Sequence, residues 1–158
     1  MEQRGVDLWS RGAGWVIVQV ILFALIALAP QVALPWTAPA WISVLFGLPP
    51  LLLGLFVLFA SILNLGKNLT PYPRPLSDSQ LVTIGVYSLV RHPMYFSVIL
   101  LSLGFSLLTT NPIRLGLTAM LFVFFDAKSR QEETWLKQKF PNYIHYQKRV
   151  KKLIPWLY

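Results

Sequence analysis

The stretch GVYSLVRHPMYFSVILLSLGFSLLTT, residues 85–110, joins a polar motif to an apolar run. Its first part holds Arg91 and His92 between two tyrosines, Tyr87 and Tyr95. Its second part is apolar enough to enter a bilayer. Ionisable side chains are costly at a membrane and usually have a functional reason to be there. The junction therefore predicts a membrane helix that begins at a polar segment with functional side chains.

The composition of the chain indicates a membrane protein. Of 158 residues, 55% are hydrophobic and only 13% are charged, whereas soluble domains carry about 25% charged residues. The mean hydropathy is +0.56. This length fits one compact bundle, so we expect a single domain over residues 1–158.

Four apolar runs predict membrane helices. They cover about residues 14–33, 41–65, 93–109 and 113–125. A spanning helix needs about 20 apolar residues, so the third run is short and the fourth needs its polar continuation towards Lys139. We predict an all-α integral membrane protein with about four transmembrane helices and a cytosolic C-terminal helical segment. A signal peptide ending near Ala38 is the less favoured interpretation of the first run, because the run is long and a proline follows.

The distribution of charge predicts the orientation. The net charge is +8, and the basic residues lie in the N-terminal tail, in residues 66–92 and in the C-terminal tail, while residues 35–40 carry none. Cytoplasmic loops are enriched in Lys and Arg, so both termini and the polar motif are expected in the cytoplasm, with Arg114 as the exception. Anionic lipid is a simpler partner than nucleic acid. We expect a multi-pass protein of a prokaryotic inner membrane.

Metal chemistry and thiol chemistry are disfavoured by the composition. The chain has no cysteine and only two histidines. Disulfides, thiolate metal ligands and a cysteine nucleophile are therefore excluded, and we predict no metal site.

A second polar cluster follows the fourth apolar run. It contains Glu132, Glu133, Tyr143 and Tyr146. The glutamates are expected either to pair with lysines on a solvated helix or to accept hydrogen bonds from a ribose or an ammonium group. The tyrosines are spaced i, i+3 and share a face of a helix, where they either close a pocket or pack on headgroups.

The first cluster also allows two interpretations. Pro93 suits the first turn of a helix, which places His92 at or next to the N-cap. Helix N-terminal amides favour an anion, and Arg91 adds a full charge. Otherwise Arg91 is only a positive-inside charge, and Tyr87 and Tyr95 are interfacial aromatics.

Together the motifs resemble the isoprenylcysteine carboxyl methyltransferase family, and related membrane methyltransferases acting on phospholipid amines share part of the pattern. The resemblance runs from about Gly66 to Pro155. It rests on these residues: Gly85, Val86, Tyr87, Arg91, His92, Pro93, Met94, Tyr95, Glu132, Glu133, Phe140, Tyr143, Tyr146, Val150 and Pro155. It implies an enzyme that uses S-adenosylmethionine, releases S-adenosylhomocysteine and binds its cofactor at the cytosolic face. Residues 1–65 would then be two N-terminal spans, and residues 66–158 the cofactor-binding loop, the helical hairpin and the C-terminal segment.

The resemblance also implies residue roles. Its cofactor-contacting positions are Ser79, Gln80, Leu81, Val82, Tyr87, His92, Pro93, Met94, Tyr95 and Glu132. We expect catalytic roles for Arg91, Glu133 and Lys128. Lys128 stands one helical turn before the glutamate pair, where family members can have Arg, and Arg130 is the alternative. Lys cannot give Arg's bidentate fork to a carboxylate.

The favoured function is methyl transfer to a lipophilic acceptor, either an isoprenylcysteine-type carboxylate or a similar lipid group, on a small molecule or a lipidated protein. Two alternatives remain: an NADPH-dependent membrane reductase of isoprenoid or sterol-type double bonds, and a non-enzymatic protein that binds anionic lipid. For the methyltransferase, Gly104 and Gly116 suggest a narrow gap between the third and fourth helices through which the acceptor enters.

Overall fold

Five α-helices organise the part of the chain that the structure describes, residues 8–9, 11–32 and 39–158 of a computed structural model. They are α1 (Ala13–Leu28), α2 (Ala40–Leu65), α3 (Pro93–Leu108), α4 (Pro112–Lys139) and α5 (Tyr143–Arg149). Two short 3₁₀ turns cover Gly66–Asn68 and Gly85–Ser88. These residues contain no β-strand, which confirms the predicted all-α class. The N-terminal tail up to residue 7 and the end of the first predicted run, with Ala33 and Ala38, lie outside the described residues.

The apolar surface of the helices agrees with the predicted integral membrane protein. Phe46, Phe56 and Phe59 on α2 are 62%, 67% and 65% exposed, and such a row of large apolar side chains is rare on a soluble surface. With the following 3₁₀ turn, α2 forms a 29-residue segment that contains an 18-residue window of mean hydropathy 2.4. It is the one helix among the described residues that is long and apolar enough to span a membrane. Because α1 and α3 have 16 residues each, the predicted count of four spans is not confirmed.

Glycines bring α2 and α3 into close contact. A Cβ on Gly104 would lie 2.7 Å from the carbonyl oxygen of Gly47, and one on Gly54 would lie 2.9 Å from the carbonyl oxygen of Ser97. Gly116 on α4 meets no described atom within 4 Å. Gly104 therefore serves the α2–α3 contact. The gap between the third and fourth helices stays a prediction.

The start of α4 is fastened to the end of α1. The Asn111 side chain accepts hydrogen bonds from the backbone N–H groups of Ile113 and Arg114 and so caps α4. Arg114 is buried, and its Nε and Nη2 donate to the carbonyls of Ile26 and Ala29, each at 3.1 Å. These carbonyls lie at the C-terminal end of α1, where a cation is favoured. This structural use explains why Arg114 departs from the charge pattern of the other loops.

The apolar half of α4, residues 112–125, packs on α1, and the polar half continues beyond it. Leu121 and Phe125 of α4 form a core with Leu22 and Ile26 of α1. The fourth helix thus extends to Lys139, as the sequence predicts.

The segment after α5 returns to the start of α3. The backbone N–H groups of Arg91 and His92 donate to the carbonyls of Lys151 and Lys152 at 2.8 and 3.1 Å. The Lys152 side chain in turn donates to Asp126 of α4. The segment after α5 therefore connects the loop that carries the Arg91–His92 motif to α4.

Candidate active site

Arg91 and His92 lie where the loop enters α3. His92 is the N-cap residue and Pro93 the first helical residue. Arg91 donates through Nε to Oε1 of Glu133 at 2.7 Å and through Nη1 to the carbonyls of Gln147 and Val150. The Nε2 of His92 lies 3.2 Å from the same Glu133 oxygen. The two predicted clusters therefore meet in space.

The neighbouring glutamate, Glu132, contacts a different set of side chains. The Tyr95 hydroxyl donates to Oε2 of Glu132 at 2.6 Å, and Nδ1 of His92 lies 3.7 Å from the same oxygen. The Tyr95 ring stacks between His92 and Phe125, with centroid distances of 5.4 and 4.5 Å. Oε1 of Glu132 makes no hydrogen bond with any described residue, which leaves it for a ligand.

Glu133 is a stable anion. Burial opposes its ionisation, but hydrogen bonds and charge from His92 and Arg91 outweigh burial and lower its pKa to about 2. Its second oxygen accepts from Nε2 of Gln147 at 2.7 Å. A carboxylate this acidic is a poor proton acceptor near neutral pH.

A cavity of about 1030 Å³, counted with its open mouth, is bounded by the loop after α2, the start of α3, the polar half of α4 and α5. The predicted site residues that line it are Ser79, Gln80, Leu81, Val82, Tyr87, Arg91, His92, Met94, Tyr95, Lys128 and Glu132. Pro93 is buried at the helix start and Glu133 lies behind Arg91, so neither is part of the lining.

Lys128 is buried on the α1 side of the cavity. It is 1% exposed, donates to Oε1 of Gln19 at 2.5 Å and to the carbonyl of Pro71 at 3.3 Å, and lies 5.4 Å from the centre of the Tyr95 ring. Burial lowers its pKa to about 8. Arg130, the alternative basic residue, is exposed and bound to Asp126 and Tyr158. The structure therefore brings Lys128, and not Arg130, to the cavity.

Three tyrosines complete the wall near α5. Burial raises the pKa of Tyr87, Tyr143 and Tyr146 above the ordinary range, so each keeps its proton. The Tyr146 hydroxyl donates to the Tyr87 carbonyl. The Tyr143 hydroxyl is buried without a hydrogen-bond partner among the described residues.

Comparison with known proteins places the chain in a family. Residues 42–143 match the family model described as phospholipid methyltransferase. The chain belongs to the phospholipid methyltransferase family. It is 32% identical over 121 residues to "Protein-S-isoprenylcysteine O-methyltransferase B" of Arabidopsis thaliana, covering 74% of this chain and 61% of that protein. It is likewise 32% identical over 119 residues to "Cobalt-zinc-cadmium resistance protein CzcN" of Cupriavidus metallidurans, covering 74% of this chain and 52% of that protein.

A solved structure has the same fold. A eukaryotic intramembrane Ras methyltransferase, isoprenylcysteine carboxyl methyltransferase, superposes with a TM-score of 0.68 over 99% of this chain and 55% of that one, at 24% identity. The family resemblance predicted from the motifs is confirmed. The chain spans only about half to three fifths of the length of these relatives.

Gln19 and Asn68 are among the lining residues of this phospholipid methyltransferase family member that the sequence prediction missed. Gln19 is the one polar side chain within α1, and a lone amide inside an apolar run is a signal that marks it. Asn68 accepts from the backbone N–H of Gln80 at 3.0 Å and so holds residues 79–82 over the cavity. Nothing in the local sequence of Asn68 indicates that contact.

Proposed function

We propose that this chain is a membrane methyltransferase that uses S-adenosylmethionine and acts on a lipophilic acceptor. The observation that carries the proposal is the cavity at the junction of the two motifs, where Tyr95 orients Glu132 and leaves one carboxylate oxygen unengaged. The name of the Arabidopsis relative and that of the matching solved structure support methyl transfer, and the confirmed family adds to that support.

The cavity fits the chemical groups of S-adenosylmethionine. The carboxylate of Glu132 suits hydroxyl donors such as those of a ribose. Apolar lining from Leu81, Val82 and Met94 suits an adenine and a thioether chain. The Tyr143 hydroxyl, which has no hydrogen-bond partner among the described residues, adds a donor that a ligand can satisfy.

The residues of the chain supply binding, orientation and exclusion of water. When bound, S-adenosylmethionine supplies an electrophilic methyl group on a sulfonium sulfur. Tyr95 and His92 hold Glu132, and Glu133 holds Arg91 and His92. A carboxylate acceptor attacks with its own lone pair and needs no general base, which agrees with the low basicity of Glu133. Catalysis then comes mainly from positioning.

The acceptor is proposed to be anionic, with an isoprenylcysteine-type carboxylate as the leading candidate. Lys128 brings a positive charge to the α1 side of the cavity, and its hydrogen bonds are to the neutral oxygens of Gln19 and Pro71. A buried cation is stabilised by an anionic partner. An ammonium acceptor would instead be repelled.

The wider placement of the chain is part of the proposal. We infer one domain over residues 1–158, four helices that cross a prokaryotic inner membrane, and cytoplasmic termini and active site. The C-terminal tail is rich in basic residues, and its backbone at Lys151 and Lys152 pairs with Arg91 and His92, which supports this orientation.

Calorimetric titration tests the proposed methyl donor. Micromolar binding of S-adenosylmethionine to detergent-purified protein, lost in Glu132→Ala, is expected. The matched control is Arg130→Gln, which changes an exposed side chain on the same helix and should bind normally. Binding of NADPH in place of S-adenosylmethionine would favour the reductase alternative. Binding of neither by folded protein would contradict the proposal.

A further inference from the structure

A second cavity lies beside the loop after α2, outside the candidate active site. Its volume is about 1010 Å³, counted with its open mouth. Arg11, Arg74 and Lys139 line it, and none of the described residues in its wall is acidic. Among the described lining residues, the two cavities share only Pro75. Three positive charges around one cavity repel each other, so an anion between them would be stabilised.

Arg11 belongs to this wall because the start of α1 packs on the loop. Its Nη2 donates to the Thr70 hydroxyl at 3.5 Å, and its guanidinium lies 4.7 Å from the centre of the Tyr72 ring. A Cβ on Gly12 would lie 2.8 Å from a side-chain carbon of Pro73, so the backbone here is in close contact with the loop. These contacts hold Arg11 in place, and none of these partners carries a negative charge.

Lys139 fastens the loop to the end of α4. It is the last residue of that helix, and its Nζ donates to the carbonyls of Leu76 and Ser77 and to the Ser79 hydroxyl. All three partners are neutral oxygens. They orient the ammonium group but do not neutralise its charge, which therefore adds to that of the two arginines.

The position of the cavity along α1 favours a ligand from the membrane surface. Arg11 stands two residues before α1, and Trp9 beside it is 71% exposed. Ile17 and Ile21, further along α1, are exposed apolar side chains suited to lipid. Tryptophan is enriched where membrane helices meet water, and a basic side chain at a helix end reaches the headgroups. The proposed membrane placement therefore puts the cavity at the level of the phospholipid headgroups.

We propose that this cavity binds a phosphate-bearing anion, and its position favours the headgroup of an anionic phospholipid as the source. Guanidinium groups match phosphate oxygens through paired N–H donors. Ser77, Trp135 and Gln138 also line the cavity and supply neutral polar groups for the rest of a headgroup, such as the hydroxyls of a glycerol. A lipid bound here is not the methyl acceptor, whose proposed position is at Lys128 in the other cavity.

Native mass spectrometry of the detergent-purified full chain tests the site. Phosphatidylglycerol, phosphatidylcholine with the same acyl chains, and inorganic phosphate are added separately to the protein. Wild-type protein should retain phosphatidylglycerol and bind phosphatidylcholine more weakly, because the choline cation is repelled. The double variant Arg11→Gln/Arg74→Gln should bind phosphatidylglycerol about 30-fold more weakly, from about fivefold for each basic residue near an anionic membrane surface.

The matched control is Lys148→Gln/Arg149→Gln, which removes two exposed charges from α5 and should bind phosphatidylglycerol as wild type does. Equal losses in the two double variants would overturn the site, because the lipid would then respond only to the net charge of the protein. Equal binding by wild type and Arg11→Gln/Arg74→Gln would overturn it too, since the lipid would then bind elsewhere.

Inorganic phosphate distinguishes the two sources of the anion. Phosphate that competes with phosphatidylglycerol would support the site and the lipid source. Phosphate that binds where phosphatidylglycerol does not, and is lost in Arg11→Gln/Arg74→Gln, would support the site with a soluble ligand. Binding of neither to folded wild-type protein would overturn the proposal. These measurements use no S-adenosylmethionine, so their failure would leave the methyltransferase proposal standing.

Discussion

The Nε of Arg91 lies 2.7 Å from Oε1 of Glu133, with both side chains less than a tenth exposed. This contact joins the loop before α3 to the polar half of α4, and the same carboxylate oxygen also meets His92. Because both Glu133 oxygens are occupied and Glu133 lies outside the cavity lining, we interpret it as a residue that positions Arg91 and His92.

Removing the Glu133 carboxylate should destabilise the fold. Glu133→Ala leaves the buried Arg91 charge unpaired, and breaking one side of a buried pair costs about 3–5 kcal/mol. Glu133→Gln keeps the shape of the side chain and should cost less. Thermal unfolding in detergent measures both, with Arg130→Gln as the exposed control on the same helix. Equal unfolding temperatures for wild type and Glu133→Ala would show that the contact does not contribute.

The lowered pKa of Glu133 also predicts that the protein becomes less stable in acid. Its pKa is about 2 in the folded protein, below the ordinary 4.5. A lowered pKa contributes stability that is present above pH 4.5 and is lost as the pH falls towards 2. Unfolding temperatures measured from pH 7 to pH 3 should therefore fall more steeply for wild type than for Glu133→Gln. Parallel curves would mean that the Glu133 carboxyl does not hold this low pKa.

Gly85 is a second position at which we expect a substitution to be damaging, and it lies away from the charged residues. Its φ is +59°, and a Cβ there would lie 2.1 Å from Oδ1 of Asn64, which accepts from the Val86 N–H at 3.1 Å. Gly85→Ala should displace the turn that carries Tyr87 and weaken S-adenosylmethionine binding and stability together.

Gly116→Ala is the matched control for Gly85→Ala. A Cβ at this helical position meets no described atom, so the change should be neutral or stabilising by up to about 1 kcal/mol. Titration and thermal unfolding of both variants check the contrast. Similar losses in the two variants would contradict the importance of the Asn64 contact.

The sequence predicts those parts of the fold that local patterns encode. Pro93 and Pro112 both stand at the first position of a helix, and the polar continuation of α4 ends at Lys139 as expected. The sequence does not show that Glu132 and Glu133 make different contacts. Successive helical residues face about 100° apart, and nothing in the local sequence shows which of the two lines the cavity. The contact between Lys128 and Gln19 joins residues 109 positions apart, so only the packing of α1 on α4 reveals it. The roles assigned to the lining residues stay predictions.

Lys128 is expected to recognise an anionic acceptor, and the prediction is specific to that substrate. Lys128→Gln should raise the acceptor's KM about tenfold or more, because a hydrogen bond from a charged group is lost, while S-adenosylmethionine binding changes little. The pKa of Lys128 is about 8, so wild-type acceptor binding should hold below pH 8 and weaken as the amine loses its proton above it. Steady-state kinetics from pH 6.5 to 9.5, with Arg130→Gln as the control, measure both effects. An acceptor KM that changes neither with pH nor with the substitution would show that Lys128 does not contact the acceptor.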